Sequence, residues 1–98
     1  MKDKLPTEEE LYDISLVFKA LGEVNRLKIA VLLLNGERCV SEISESIGLS
    51  QSATSHQLRI LKDSKILKRR KDGNVIYYAI SDEHIRTIIE MSIEHLCC

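Results

Sequence analysis

The sequence of 98 residues lacks the features of several classes of protein. No apolar run approaches the roughly 18 residues that cross a bilayer, and the polar residues that follow Met1 are not typical of a signal peptide. Internal repeats, linkers and low-complexity segments are absent. Neither a nucleophile paired with a base nor a phosphate-binding loop is recognisable, so we do not expect an enzyme. The expectation is one soluble, cytoplasmic domain that spans residues 1–98.

Cysteine is scarce, and the three cysteines are Cys39, Cys97 and Cys98. An odd number in a chain with no recognisable export signal argues against a disulfide framework and for free thiols. Metal binding and redox chemistry both stay compatible with these thiols. Cys39 has no second cysteine or histidine near it in the sequence, so we expect it to be a buried structural residue.

The net charge is also small, at −1, which by itself does not favour an acidic partner such as nucleic acid. The distribution of the charges is more informative than their sum. Seven of the fourteen Lys and Arg residues lie between Arg59 and Lys71, where Asp63 is the only acid. Such a cluster forms either a solvated surface or a contact with phosphate, and its structural context has to decide between them.

The periodicity of the apolar residues predicts two helices in the first third of the chain. A capping box of Thr7 and Glu10 starts the first helix, over 8–21. The second helix, over 24–34, is apolar nearly all round, as a central core helix would be. The apolar surface of the first helix is wider than one stripe, which favours contact with a partner chain; its members are Leu11, Ile14, Leu16, Val17, Phe18 and Leu21.

The middle of the chain predicts a helix-turn-helix. Two short helices, over 40–47 and 51–64, flank a tripeptide in which Gly48 can take the left-handed C-cap conformation and Ser50 can cap the next helix. We therefore expect the helix that begins after Ser50 to be the recognition helix.

A β-hairpin and a last helix follow. The sequence pattern changes to the two-residue period of a β-strand over 66–71 and 75–80. Asp72-Gly73 between these segments is typical of a two-residue hairpin turn. Ser81 then caps a helix from Asp82 to about residue 96. The predicted fold class is mainly α with a small β-hairpin, arranged as a winged helix-turn-helix.

The recognition helix carries the residue types that read DNA. A helix in the major groove needs small polar residues at its N-terminal end and basic residues that hold phosphates on either side. The first group of candidates is Gln51, Ser52, Thr54, Ser55 and His56. The second group is Arg59 and Lys62 on the helix with Arg69, Arg70 and Lys71 on the hairpin. Leu58 and Leu61 lie on the opposite face of the helix and should pack on the core.

Three segments together resemble the ArsR/SmtB family of winged-helix repressors, and the resemblance covers residues 11–96. They are Ala20-Leu21-Gly22-Glu23 with Arg26-Leu27, Ser50 to Leu58, and Gly73-Asn74-Val75-Ile76-Tyr77-Tyr78. The resemblance implies a homodimer built through the first and last helices. It also implies a repressor that metal or another inducer releases from its operator, with Gln51, Ser52, Ser55 and His56 as operator contacts.

The sequence departs from the family pattern at two places. Val24 stands where the family often has proline, and Ser64-Lys65 replaces the usual Ala-Gly ahead of the hairpin. A lysine in a left-handed C-cap costs stability relative to glycine, so we expect strain at Lys65.

The last helix carries candidate metal ligands. His84 and His95 are eleven residues apart, which places them on one face but about 16 Å apart along the axis. One chain cannot bring both to a single ion. If the last helices of two subunits pack antiparallel, Asp82 and His84 of one subunit meet His95 and Cys98 of the other. Two symmetric sites result, each with four ligands suited to tetrahedral zinc.

This pattern is similar to the interfacial zinc site of the zinc-sensing branch of the family, where the fourth ligand is usually histidine or glutamate. The resemblance implies Zn(II) as the inducer. A thiolate from Cys98 in that place shifts the preference toward Cd(II), with Co(II) as a further candidate. Cys97 is an alternative fourth ligand.

Two rival hypotheses stay open at this point. One keeps the DNA binding but replaces metal with thiol oxidation or a thiophilic reagent that acts on Cys97 and Cys98. The other is a winged-helix module that binds a protein through the same face. Release from DNA by peroxide without metal favours the first, and failure to bind a duplex at low salt favours the second.

Overall fold

The computed structural model describes residues 5–97. Every predicted helix and hairpin strand is present, with bounds that differ from the prediction by at most one residue. In chain order the elements are α1 (Glu8–Leu21), α2 (Val24–Leu33), β1 (Arg38–Cys39), α3 (Val40–Ile47), α4 (Gln51–Asp63), β2 (Leu67–Asp72), β3 (Val75–Ile80) and α5 (Glu83–Cys97).

The predicted capping residues explain why the helices begin and end where they do. The Thr7 side chain accepts a hydrogen bond from the Glu10 amide at 3.1 Å, and the Glu10 carboxylate accepts one from the Thr7 amide at 2.8 Å. Gly48 ends α3 in the left-handed conformation, with φ of 77°. Ser50 caps α4 by accepting a hydrogen bond from the Ala53 amide at 3.1 Å. The helix-turn-helix is therefore fixed largely by local chemistry.

The sheet is antiparallel with strand order β1-β3-β2. The strand β1 was not predicted, because two residues are too few to show a period. The hairpin turn also lies one residue later than expected. Asp72 pairs with Val75 as the last residue of β2, and Gly73, with φ of 64°, takes the first of the two turn positions.

The core is formed by residues from nearly every element. Leu58 and Leu61 of α4 are fully buried, as predicted. The interpretation of α2 as a helix surrounded by core is wrong in part, because Val24, Leu27 and Val31 are exposed along one side of it. The largest fully buried side chains are Ile29, Leu33, Ile43, Thr54, Leu58, Leu61, Ile66 and Ile89.

The outermost helices expose much of their apolar surface. In α1 only Ala20 and Leu21 are buried, and in α5 only Ile85 and Ile89 are. The large apolar side chains left exposed on these two helices are Leu11, Tyr12, Ile14, Leu16, Phe18, Met91, Ile93 and Leu96. Among residues 5–97, no helix combines the length and the apolar character that a membrane crossing requires.

The structure confirms the prediction for Lys65, which lies before the hairpin, and corrects the prediction for Ser81, which lies after it. Lys65 has a positive φ of 64°, as expected from its place after the recognition helix. Ser81 does not cap α5. Its hydroxyl donates a hydrogen bond to the Lys65 carbonyl at 2.9 Å, while Asp82 accepts one from the Ile85 amide at 3.0 Å and so takes the capping role. An Asp one residue later can reach the free amides of the first turn equally well.

Candidate DNA-binding surface and metal ligands

The exposed face of α4 carries four of the predicted base-reading residues. Gln51, Ser52, Ser55 and His56 are all exposed and recur at spacings that place them on one side of the helix. Arg59 continues this side toward the C-terminal half. The arrangement places small polar groups at the N-terminal half of an unobstructed helix and a cation beyond them, as reading of base edges next to the DNA backbone requires.

Thr54 does not belong to this face. It is fully buried, because with Leu58 and Leu61 it forms the stripe of α4 that packs on the core at four- and three-residue spacing. Its hydroxyl has no hydrogen-bond partner within the described part of the chain. The prediction that Thr54 contacts DNA is therefore corrected: from this position its side chain cannot reach a base edge.

Arg26 ties the recognition helix to the rest of the molecule. Its Nε donates a hydrogen bond to the carbonyl of Ala20 at 2.7 Å, and its Nη1 donates one to Oε1 of Gln57 at 3.1 Å. One side chain thus joins the end of α1, the start of α2 and the middle of α4. In the sequence Arg26 is recognisable only as part of the family motif, because nothing local indicates a partner 31 residues away.

The hairpin divides its basic residues between two faces. In the antiparallel register Arg69 lies opposite Tyr78 and Lys71 opposite Ile76, whereas Arg70 lies opposite Tyr77. Successive side chains of a strand point to opposite faces, and Arg69, Ile76 and Tyr78 line a hollow against α4. The face toward the recognition helix therefore carries Arg69 and Lys71.

Arg70 points away from that face and is engaged within the molecule. Its guanidinium donates to the Glu37 carboxylate through two hydrogen bonds, of 2.6 and 3.2 Å, and its Cζ lies 4.6 Å from the centre of the Tyr77 ring. The hydrogen bonds from Arg70 lower the pKa of Glu37 below its usual range. Arg69 and Arg70, which the sequence groups as DNA contacts, are placed on opposite faces of the hairpin by strand parity.

Two candidate metal ligands lie together at the start of α5. Nδ1 of His84 is 3.7 Å from Oδ2 of Asp82, and the His84 side chain is 93% exposed. The hydrogen bond from the Ile85 amide, helped by the proximity of His84, lowers the pKa of Asp82. Asp82 is therefore a carboxylate at neutral pH, and its Oδ2 is left for another partner because Oδ1 caps the helix.

The other candidate ligands are remote from this pair within one chain. His95 lies in the last turn of the same uninterrupted helix, about 16 Å along the axis from His84. Cys98 lies outside the described residues. Within residues 5–97, no group of three or more potential ligands is close enough to hold an ion. Within one chain the described residues therefore do not form a metal site, and the site shared between two subunits that the spacing predicts stays a prediction.

Two cysteines lie among the described residues, Cys39 before α3 and Cys97 two residues after His95. Cys97 is exposed and Cys39 is half-buried, and both are free thiols. The expectation of a buried Cys39 is therefore only partly right: it ends β1 and directly precedes α3, with its sulfur 3.4 Å from the Ser41 hydroxyl.

An exposed polar helix next to a basic hairpin, on three packed helices, defines a class: the winged helix-turn-helix DNA-binding proteins. Residues 23–69 match the family model described as "Bacterial regulatory protein, arsR family". A cadmium resistance transcriptional regulatory protein CadC homolog of Staphylococcus aureus is 44% identical over 84 residues, which are 85% of this chain and 69% of that protein.

Two further comparisons agree. A transcriptional repressor SmtB homolog of Synechocystis is 35% identical over 79 residues, 81% of this chain and 60% of that protein. The homodimeric winged helix-turn-helix DNA-binding domain of a possible ArsR-family regulator from Mycobacterium bovis has a TM-score of 0.84 and 30% identity, over 98% of this chain and 94% of that one. The chain therefore belongs to the ArsR family of bacterial regulatory proteins. It is a DNA-binding transcriptional regulator and not an enzyme.

Proposed function

We propose that the protein is a dimeric, metal-responsive repressor, which occupies its operator while metal-free and leaves it when Zn(II) or a similar ion binds between the two α5 helices. The observation that carries this proposal is the hydrogen bond from Ser81 to the Lys65 carbonyl. This bond links Ser81, which precedes the candidate ligand Asp82, to Lys65, which follows Ser64, the C-cap of the recognition helix. Because the proposed target is operator DNA, the proposal places the protein in the cytoplasm.

DNA binding follows from the exposed face of α4. In this proposal Gln51, Ser52, Ser55 and His56 contact base edges, while Arg59, Lys62, Arg69 and Lys71 contact phosphates. A two-fold symmetric dimer presents two such faces, so the operator consists of two inverted half-sites. The named SmtB relative is a repressor, which supports repression as the outcome of binding.

Dimer formation is supported by the apolar surface that one chain leaves exposed. Leu11, Ile14 and Phe18 of α1 and Met91 and Ile93 of α5 all lie at the surface. Burying such side chains stabilises an interface by roughly 25 cal/mol for each Å² of apolar area. The solved relative from Mycobacterium bovis is a homodimer.

The metal site needs the same dimer. Antiparallel α5 helices bring Asp82 and His84 of one subunit to His95 and Cys98 of the other, and two four-ligand sites form. Zn(II) suits this set of carboxylate, imidazole and thiolate, and the thiolate favours Cd(II) as well. The name of the first relative refers to cadmium, which supports an ion of this group as the inducer; Co(II) also suits tetrahedral nitrogen and sulfur ligands.

The route from metal to DNA is short. Ser81 joins the junction of β3 and α5 to the segment between α4 and β2 twice, through its hydroxyl to the Lys65 carbonyl at 2.9 Å and through its amide to the Ile66 carbonyl at 3.0 Å. In this proposal a shift of Asp82 on metal binding is passed through Ser81 to this segment and from there to the C-terminal end of the recognition helix. A coupling of about 1 to 3 kcal/mol suffices, and DNA must weaken metal binding equally.

The test begins with a duplex selected from a random-sequence pool by the metal-free protein. Its affinity is then measured by fluorescence with Zn(II), Cd(II), Co(II) and Ni(II) for the wild type, His84→Ala and Cys98→Ser, with Glu94→Ala as a control on the same helix. Zinc should lower the wild-type and Glu94→Ala affinities by a factor of about 5 to 150 and should not affect His84→Ala. An unchanged wild-type affinity would show that the protein is not a metal sensor.

The rival hypotheses are tested in the same assay. Cys98→Ser should lose the response to Cd(II); if it responds normally, only the fourth ligand is wrong. Release by peroxide in the absence of metal identifies a thiol switch instead. If no duplex binds even at low salt, the protein-interaction module is the better description, because several phosphate contacts require a steep dependence of affinity on salt.

A further inference from the structure

The recognition helix α4 has a single polar connection to the other helices and strands. Within the described part of the chain, the hydrogen bond of 3.1 Å from Arg26 Nη1 to Gln57 Oε1 is the only hydrogen bond or ion pair between α4 and another helix or strand. The side chains that α4 buries in the core are Thr54, Leu58 and Leu61. The orientation of α4 therefore depends on packing contacts and on this one hydrogen bond.

The two kinds of contact constrain a helix differently. Hydrophobic burial depends on the area removed from water and has no preferred direction, so it tolerates a small rotation of α4 about its axis. A hydrogen bond weakens steeply as its angle closes. Gln57 lies on the flank of α4 away from the hairpin, because it is about 160° around the axis from Ser55, which lines the hollow beside the hairpin. A hydrogen bond at Gln57 therefore resists rotation from the side that the hairpin does not support.

Arg26 is itself held in place before it reaches α4. Its Nε donates a hydrogen bond to the Ala20 carbonyl at 2.7 Å, and its amide donates one to the Glu23 carboxylate at 3.1 Å. Ala20 is buried in the last turn of α1, where carbonyls have no amide partner within the helix. Because a guanidinium is planar and its donors have fixed relative directions, the position of the Ala20 carbonyl determines where Gln57 is held.

The helix at the other end of this connection is the proposed dimer helix. Most of the large apolar side chains of α1 are exposed, Phe18 among them, and the proposed homodimer buries them. The two recognition helices of such a dimer read half-sites about 34 Å apart, which is one turn of DNA. This distance depends on how each α4 is oriented relative to the α1 of its own subunit. The connection from Ala20 through Arg26 to Gln57 fixes that orientation by directional bonds.

We propose that Arg26 is a positioning residue which, through Gln57, sets the distance between the two recognition helices and so makes the repressor specific for one spacing of its half-sites. The inference rests on the proposed dimer and its DNA binding, and it adds the residue that determines the spacing. Arg26 needs no contact with DNA for this role. Without it α4 adopts a range of orientations, so ordering on DNA costs affinity, and neighbouring spacings become almost as acceptable as the preferred one.

The test uses the full chain and a series of duplexes in which the two selected half-sites are moved closer together or further apart by single base pairs. Fluorescence measures the affinity for each duplex, and the readout is the width of the profile of affinity against spacing. The wild type should bind best at one spacing. Arg26→Met should lower the affinity at that spacing about tenfold, as expected for the loss of a hydrogen bond from a charged group. It should lower the affinity much less at the neighbouring spacings, so the profile becomes flatter.

Variants of Gln57 separate positioning from folding. Gln57→Met removes the acceptor but leaves Arg26 on the Ala20 carbonyl, so it should flatten the profile as Arg26→Met does. Gln57→Glu keeps an acceptor for Arg26. Its added negative charge should weaken binding equally at every spacing, and the profile should keep the wild-type width.

The matched control is Lys28→Met, which removes an exposed cation from the same helix as Arg26 and should also keep the wild-type width. Thermal melting verifies that each variant is folded. Gln57→Met carries the test if Arg26→Met does not fold.

The outcomes distinguish this inference from the proposed function. A folded Gln57→Met protein with a profile as narrow as that of the wild type would overturn the inference. A uniform loss of affinity in Arg26→Met at every spacing would also overturn it, because general destabilisation of the fold has that effect. Both results leave DNA binding by a dimer intact. If the wild type binds no duplex, or binds one half-site as tightly as two, the proposed dimeric repressor is refuted and the inference with it.

Discussion

Arg70 in β2 and Glu37 in the segment before β1 form a two-point ion pair, with Nη2 2.6 Å from Oε2 and Nε 3.2 Å from Oε1. The pair lies on the face of the sheet that is turned away from the recognition helix, and Tyr77 underlies the guanidinium. A cation that sequence alone assigns to DNA thus holds the hairpin against the segment that leads into the helix-turn-helix.

The first prediction concerns the pH dependence of this pair. Because the pKa of Glu37 is lowered in the folded protein, the pair contributes stability above the unfolded glutamate pKa of about 4.3. That contribution is lost as pH falls through the lowered value. Glu37→Gln should therefore be less stable than the wild type at neutral pH and equally stable in acid. Urea unfolding across this pH range measures the difference.

A matched control is available for this experiment. Glu45 of α3 is exposed and has no ion-pair partner within the described chain. Glu45→Gln should leave the curve of stability against pH close to that of the wild type. A difference between Glu37→Gln and wild type that persists undiminished at low pH would contradict the assignment.

The second prediction concerns the buried hydroxyl of Thr54. An unsatisfied buried polar group costs about 1 to 3 kcal/mol, and valine has nearly the same shape without that group. Thr54→Val should therefore raise the free energy of unfolding by about 1 kcal/mol and leave DNA affinity unchanged. Thr54→Ala removes volume as well and should destabilise. A loss of DNA binding in a stable Thr54→Val protein would restore Thr54 to the contact set.

The third prediction concerns the dimer. Phe18 of α1 is 58% exposed and Val24 of α2 is 65% exposed, so the two offer a comparison of equally accessible apolar residues. Phe18→Glu should shift the protein toward monomer in sedimentation equilibrium, because a carboxylate would have to be buried in the interface. Val24→Glu should remain dimeric. Monomer formation by both variants would place the interface elsewhere.

The fourth prediction concerns the origin of the metal ligands. One subunit carrying Asp82→Ala and His84→Ala is mixed with one carrying His95→Ala and Cys98→Ser. In a mixed dimer one shared site loses all its ligands and the other keeps all four. Neither variant alone should bind Co(II) with tetrahedral absorption, and the mixed dimer should bind one ion. No recovery on mixing would show that the sites are not shared between subunits.

The sequence by itself determined nearly all of the local structure. The capping box at Thr7, the left-handed Gly48, the Ser50 cap and the positive φ of Lys65 each depend on residues a few positions apart. The spacing of the apolar residues depends only on which face of one helix or strand is buried. Such features are set by short-range sterics and hydrogen bonding, so the sequence predicts them without the rest of the molecule.

What only the tertiary structure decided is which face each residue occupies relative to distant elements. Four features join positions that are far apart or on different elements. They are the burial of Thr54, the ion pair of Arg70 with Glu37, the hydrogen bond from Arg26 to Gln57 and the hydrogen bond from Ser81 to the Lys65 carbonyl. A local pattern contains no information about such partners, because they are selected by the packing of the whole chain. The same packing turned a run of basic residues into two groups, one that holds the hairpin and one that faces the recognition helix.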